Sequence, residues 1–405
     1  MNQIVQPHDR LSRRVLDAEA IKALPVEDWD LLSREAVTEN PAYSRQYVLA
    51  GLETIDTGAR VRAVAMSDDN ERLVGFFPFR LRILPPFPWP VAVGAQNIYQ
   101  FAGAPLASRK CTDAVVGAWL DGIKAGAPSR FWTFSNIDLN SGFIESVRAQ
   151  IGERGLGLRA VAPYRRPSLT GRAGSSEAHS AKVIKKSRVK DIERNLRRLR
   201  NIGSVGFERA CEPEQVKQRI EQFLAIEQSG WKGENGTAFL SRERDATFAR
   251  LAFGGEDGAK GLAVVDSLLL DGNPIAMSVN MSSGSTLFTL KCAYDENYRK
   301  FSPGLVLEYL VVEEFFKSGT FADMDASTTM DGHVIQELWD SNKPMACVIV
   351  GPDDFQLDLL AKGWNAFHNT KRRLRRPLKK LLRVFRKPFF LTYVAIAWSV
   401  SWSME

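Results

Sequence analysis

At 405 residues the chain is long enough for two domains and a tail, and its 44% hydrophobic content is that of a globular protein rather than a disordered one. The net charge of +7 is not a property of the whole, because residues 371–387 hold ten Lys and Arg and no acid and the remainder is acidic by three charges; that argues against general nucleic-acid affinity. Four scattered cysteines without a CxxC pair, four scattered histidines and no apolar leader at 1–14 argue against a disulfide framework, a metal site and a secretory signal, and point to a cytoplasmic protein.

Residues 1–20 read as a loose arm. A first unit spans 21–169, with helices expected around Trp29–Ala36 and over 44–52 and paired strands over 60–66 and 72–79 around a turn at 67–70. Residues 84–90 hold four prolines and read as a rigid loop, 114–123 as a helix and 130–134 as a buried strand. Residues 170–202 read as a Gly/Ser-rich linker followed by one basic helix over 181–201, with Val189, Ile192, Leu196 and Leu199 on a single face. That helix is either a connector with a solvated charged face or a wall of the donor or acceptor groove.

The second unit spans 203–353. Helices are expected over 213–230 and 240–253, then three strands over 261–270, 274–281 and 286–293 joined by turns at 271–273 and 282–285. The third strand runs through a polar loop and Ser302-Pro303-Gly304 into a helix ending near Gly319, with a further strand over 321–326. A strand that feeds a helix through such a loop presents free backbone N–H groups at the positive end of the helix dipole, which suits phosphate, and Arg299 and Lys300 add positive charge. A plain βα connection gives the same pattern.

The second unit resembles the GNAT-type acetyltransferase domain of the bacterial CelD-like, FemAB-related family. The resemblance lies in Glu227-Gln-Ser-Gly-Trp231-Lys232-Gly233, Gly236-Thr237-Ala238, Gly272 with Pro274-Ile275-Ala276, Lys291-Cys-Ala-Tyr294-Asp295-Glu296, Tyr298-Arg-Lys-Phe-Ser302-Pro303-Gly304, Asp325 and Trp339. Gly75-Phe-Phe-Pro78 and Gly103-Ala-Pro105-Leu106 extend it into the first unit, so that it covers about residues 20–350. It implies an α/β (α+β) fold of two tandem GNAT-like lobes with a basic C-terminal helical tail over 354–405, and the active site in the second lobe. It implies acyl transfer from an acetyl-CoA or acyl-CoA co-substrate and does not name the acceptor; the leading expectation is transfer, without a metal, to the amine of a sugar, polysaccharide precursor or lipid base in cell-envelope metabolism. A Fem-like transferase using charged tRNA and a non-catalytic binding protein are the alternatives, although the long coiled-coil insertion of several Fem proteins has no counterpart here.

The resemblance assigns the donor's pyrophosphate to Tyr298, Arg299, Lys300, Ser302, Gly304 and Leu305, and the oxyanion to an N–H of the strand over 288–293. The loop departs from the commonest GNAT pattern, since Ser302 and Pro303 precede Gly304. Lys291 interrupts an apolar strand and needs a partner; Asp325 on the next strand is the expected one, in either a structural ion pair or a catalytic role. Tyr294 is placed to protonate the leaving thiolate and Asp295 to orient the acceptor, unless Asp295 serves only to form the turn. Glu227 is either a base for the acceptor amine or a helix-surface glutamate. Trp231 and Lys232 are candidate acceptor contacts, Trp231 against a core role, and His333 in a polar loop is a weaker one. No Ser-His-Asp spacing, GxSxG or Walker loop supports a hydrolase or NTPase.

The tail joins a basic helix, with Leu374, Leu378, Leu381, Leu382 and Phe385 on one face and Pro377 as a kink or restart, to an apolar end over 389–402 that is short for a bilayer span. Residues 371–402 therefore read as an in-plane anchor on an anionic membrane, which would make the protein peripheral on the inner face.

Overall fold

A computed structural model describes residues 11–384, except 85–86, 171–173, 256–260 and 329–333. His333 and the apolar end of the tail thus lie outside the described residues. The chain builds a 13-stranded mixed sheet with helices on both faces, the α/β class expected.

The first half contains β1 (Ser12–Leu16), α1 (Ala18–Lys22), α2 (Val26–Glu35), α3 (Arg45–Glu53), β2 (Arg62–Ser67), β3 (Leu73–Ile83), β4 (Pro90–Gly94), β5 (Leu106–Ala107), α4 (Thr112–Lys124), β6 (Trp132–Asp138), α5 (Gly142–Gln150) and β7 (Leu156–Thr170). The second contains α6 (Ser176–Val183), α7 (Lys186–Arg200), β8 (Val205–Ala210), α8 (Pro213–Ser229), α9 (Trp231–Glu234), α10 (Glu243–Gly254), β9 (Ala263–Leu270), β10 (Asn273–Ser283), β11 (Thr286–Tyr294), α11 (Pro303–Ser318), β12 (Asp323–Asp325), β13 (Ser341–Pro352) and α12 (Phe355–Val384).

The two halves repeat one plan. Antiparallel β1–β2–β3–β4 leads through α4 to β6, parallel to β4; antiparallel β8–β9–β10–β11 leads through α11 to β12, parallel to β11. This is the tandem arrangement expected. The last strand of each half then crosses over: β7 pairs with β12 of the second half, β13 pairs with β6 of the first, and β7 and β13 pair with each other at the centre. One continuous sheet results, in the order β1-β2-β3-β4-β6-β13-β7-β12-β11-β10-β9-β8.

Local chemistry explains the hairpins. Asp271 and Gly272 both take positive φ, which suits the tight β9–β10 turn. The Asp68 carboxylate accepts from the amides of Asn70 and Arg72 and closes the β2–β3 turn. The expected single basic helix is two, α6 and α7, because Ile184 and Lys185 take extended backbone between them. Helix α12 starts at Phe355, well before the basic stretch, seats Leu357, Leu360 and Trp364 on the central strands, and continues through Pro377.

Candidate active site

The second lobe opens where β11 outruns β12. Only Thr286, Leu287 and Phe288 pair with β12, through Asp323, Met324 and Asp325. Beyond Phe288, β11 keeps β10 on one side and, among the described residues, has no strand on the other. The register between β10 and β11 slips at Leu290, since Val279 faces Lys291 while Asn280 faces Thr289. This β-bulge places one extra residue in β11 and turns Lys291 to the face covered by α8 and α10; Cys292 and Tyr294 point to the other face, against α11.

On the α11 face the helix starts without a cap. Ser302, in the left-handed region, makes no side-chain cap, and Pro303 has no N–H. The Ser302 amide is spent on the Arg299 carbonyl and that of Val306 on Ser302. The amides of Gly304 and Leu305 have no acceptor outside the helix among the described residues, and at this depth in the first turn the helix supplies none. A Cβ on Gly304 would stand 3.4 Å from the Tyr294 ring and 3.8 Å from Cys292 Sγ, so these amides lie beside the open end of β11. Arg299 and Lys300 are exposed in the turn that precedes them. Arg198 of α7 donates to the Lys300 carbonyl (3.2 Å) and lies 5.0 Å over the Phe301 ring, which joins the basic helix to this turn. Asp295 accepts from the Asn297 amide at 2.9 Å and caps the turn, the local role open to it from sequence. Tyr294 bonds to Glu296; burial and that carboxylate raise its phenol above the usual value, so it holds its proton.

On the opposite face lies an ionic cluster. Glu227 is fully buried, not a helix-surface residue: its Oε1 sits 2.7 Å from Lys291 Nζ and 3.4 Å from Lys232 Nζ, and its Oε2 accepts from the Phe239 amide at 2.9 Å. Lys291 also lies 3.7 Å over the Phe239 ring. Burial lowers its ammonium below the ordinary lysine value, against the pull of Glu227. Lys232 donates to the Cys292 carbonyl at 2.6 Å, on the edge of β11 that no strand covers. Trp231 is 51% exposed beside it, at the mouth rather than in the core.

The expected Lys291–Asp325 pair does not form. Asp325 stops opposite Phe288, three residues short of Lys291, and pairs with Arg166 of β7 (3.4 Å) and Lys343 of β13 (3.1 Å). Burial alone would raise its carboxyl; Arg166 and Lys343 outweigh that and hold it below the usual range. Asp325 is therefore part of the joint between the lobes.

Sequence reasoning missed Phe239, Tyr99 and Asp245. Tyr99 comes from the first lobe, stacks on Phe248, lies 4.8 Å from the Phe239 ring and 6.0 Å from Lys291, and bonds to Asp245. Its only sequence signal was its place just before the family-like Gly103-Ala-Pro105. The equivalent notch of the first lobe is filled by its own chain: Gln96 donates to the Ser135 carbonyl at 3.1 Å, and a Cβ on Gly103 would come within 2.1 Å of that oxygen.

The segment that carries all of these second-lobe features, residues 186–331, matches the family model of an acetyltransferase (GNAT) domain. The chain is accordingly a transferase whose second lobe is similar to that domain, and a GNAT domain implies an acetyl-CoA-type co-substrate. FemX shares the fold over 83% of this chain and 98% of its own, at 12% identity and a TM-score of 0.52. The C-terminal domain (DUF2156) of a putative lysylphosphatidylglycerol synthetase from Agrobacterium fabrum does so over 86% and 96%, at 13% identity and a TM-score of 0.52. A search of curated proteins finds no match. Among the described residues, no group of three or more His, Cys, Asp or Glu is arranged to hold a metal ion, and no helix is long and apolar enough to cross a membrane.

Proposed function

We propose that the protein is an N-acyltransferase that moves an acetyl or longer acyl group from an acyl-CoA-type thioester to an amine on a sugar, polysaccharide precursor or lipid base. The observation that carries this reading is the pair of unspent amides, Gly304 and Leu305, beside the uncovered edge of β11. The amides and the helix dipole suit a diphosphate, with Tyr298, Arg299, Lys300 and Ser302 around it. An extended arm running from there can pair with the bare edge of β11, which brings its carbonyl to the bulge, where a strand N–H is available to the developing oxyanion. The acceptor enters from the Trp231 side. Lys291, whose protonation burial disfavours, takes the proton from the attacking amine, and Glu227 then holds the new ammonium. Tyr294 returns a proton to the departing thiolate.

A second reading, a Fem-like transfer from an aminoacyl-RNA, is favoured by one observation. Lys186, Lys190, Arg194 and Arg197 form a stripe along α7 that ends at the Lys300 turn, where Arg194, Arg197, Arg198, Arg200 and Asn201 line an open basin. Thermal shift with acetyl-CoA, long-chain acyl-CoA and RNA separates the two. Stabilisation by a thioester supports the first; stabilisation by RNA alone removes it. Peripheral membrane attachment through residues 371–402 is a separate proposal, and equal flotation with anionic vesicles after deletion of 371–405 would sink it.

A further inference from the structure

Beneath the start of α11 a line of polar side chains crosses the sheet. Arg209, Asp266, Ser278 and Cys292 are direct cross-strand neighbours on β8, β9, β10 and β11. Arg209 grips Asp266 with two bonds of 2.7 and 3.1 Å, Asn280 donates to Asp266 at 3.0 Å, and Ser278 donates to Asn280 at 2.9 Å. Glu308 of α11 closes this layer from above. It is 3% exposed, and its Oε2 has no hydrogen-bond partner among the described residues. Among the described residues no cation is paired with it; Arg209 is committed to Asp266. Glu308 follows Gly304 by one helical turn on the same face, about 6 Å along the axis.

We infer that Glu308 must carry a proton for the amides at the start of α11 to hold an anionic donor, which makes it a positioning residue for that site. The inference rests on the donor reading above. A neutral carboxyl leaves the positive end of the helix unopposed; an ionised one puts a buried negative charge about one turn from a bound phosphate, enough to weaken binding about ten- to a hundredfold. Burial, and secondarily the Asp266 carboxylate, push Glu308 up to about 8, so the change falls within an accessible range. Of the other titratable groups facing it, the Asp266 carboxyl is raised by burial against the opposing pull of Arg209, and the Cys292 thiol is pushed up to about 12 by burial and by Glu308 itself. Glu314, farther along α11, acts on Asp266 and Arg209.

The sign follows directly. Donor affinity is complete while Glu308 is protonated and falls as pH rises through its value. The test is calorimetric titration of coenzyme A into the full chain from pH 7 to 9, beside Glu308→Gln, which copies the protonated carboxyl in shape. The expected result is a wild-type affinity that drops about five- to tenfold across the range and a glutamine variant whose affinity stays within about twofold of the pH 7 wild type throughout. Coenzyme A binding that is independent of pH in the wild type, or that falls equally in the variant, overturns the role of Glu308 alone. No binding of coenzyme A at any pH overturns the donor reading and this inference with it.

Discussion

Glu227 and Lys291 are 64 positions apart, and only the bulge at Leu290 brings them together. Without the extra residue, strand alternation would send Lys291 toward α11, away from Glu227. Replacing Lys291 with Met removes the proposed base and leaves Glu227 paired with Lys232 alone among the described residues. The variant is expected to lose about a hundredfold or more in turnover with any accepted thioester, and about 1–3 kcal/mol of stability in urea unfolding. In the wild type the rate rises with pH as Lys291 loses its proton, with a midpoint below the ordinary lysine value because burial lowers it; in Lys291→Met that limb disappears. Retention of the same pH profile in the variant would assign the proton transfer to water. The residue types of this cluster were legible in the sequence as a buried lysine needing a carboxylate. The identity of the partner was not, because neither the bulge nor the three-residue length of β12 leaves a sequence signal.

Helix α11 shows what a single element contributes. Its Pro-Gly start, its apolar face and its end at Gly319 were all readable from residue order, as were the hairpins with Asp-Gly chemistry at their turns. A Cβ at position 304 meets Tyr294 and Cys292 at ordinary contact distances, so Gly304→Ala is expected to fold and bind the donor nearly normally. Gly304→Val adds two methyls beside the amides and is expected to weaken coenzyme A binding about tenfold or more while the melting temperature moves by only a few degrees. Equal affinity of the valine variant and the wild type would move the donor site elsewhere. Besides β1, β4, β5 and β8, the strands that escaped sequence reading are β7 and β13. They lie at the centre of the sheet yet carry Arg165, Arg166, Pro163, Pro167 and Pro344, residues that argue against a buried strand when read alone. Arg166 is tolerated there because Asp325, the Phe101 carbonyl and the Tyr164 hydroxyl accept from its two terminal nitrogens.

For the whole molecule, the crossing of β7 and β13 makes the lobes mutually dependent. Each ends its β layer on a strand supplied by the other, and Tyr99 and Phe101 of the first lobe pack into the core of the second. A chain ending at Asp340 lacks β13 and is expected to lose cooperative unfolding in both lobes, whereas a chain ending at Thr370 keeps β13 and the docked part of α12 and is expected to melt like the full protein. Circular dichroism melts of the two truncations check this; a stable, cooperative product ending at Asp340 would mean that the exchange is dispensable. The repeated plan was faintly visible in the sequence as a similar order of elements. The exchange was not, because pairing between distant strands depends on register across the sheet rather than on any local pattern.

The reading of the site as a thioester-donor cleft stands on two amides. Selective nitrogen-15 labelling of glycine and leucine makes the backbone signals of Gly304 and Leu305 observable during a titration with coenzyme A. Both signals should shift downfield saturably, and by more than the glycine and leucine amides of the first lobe. Saturable binding that leaves both unmoved, or no binding at all, would contradict the assignment.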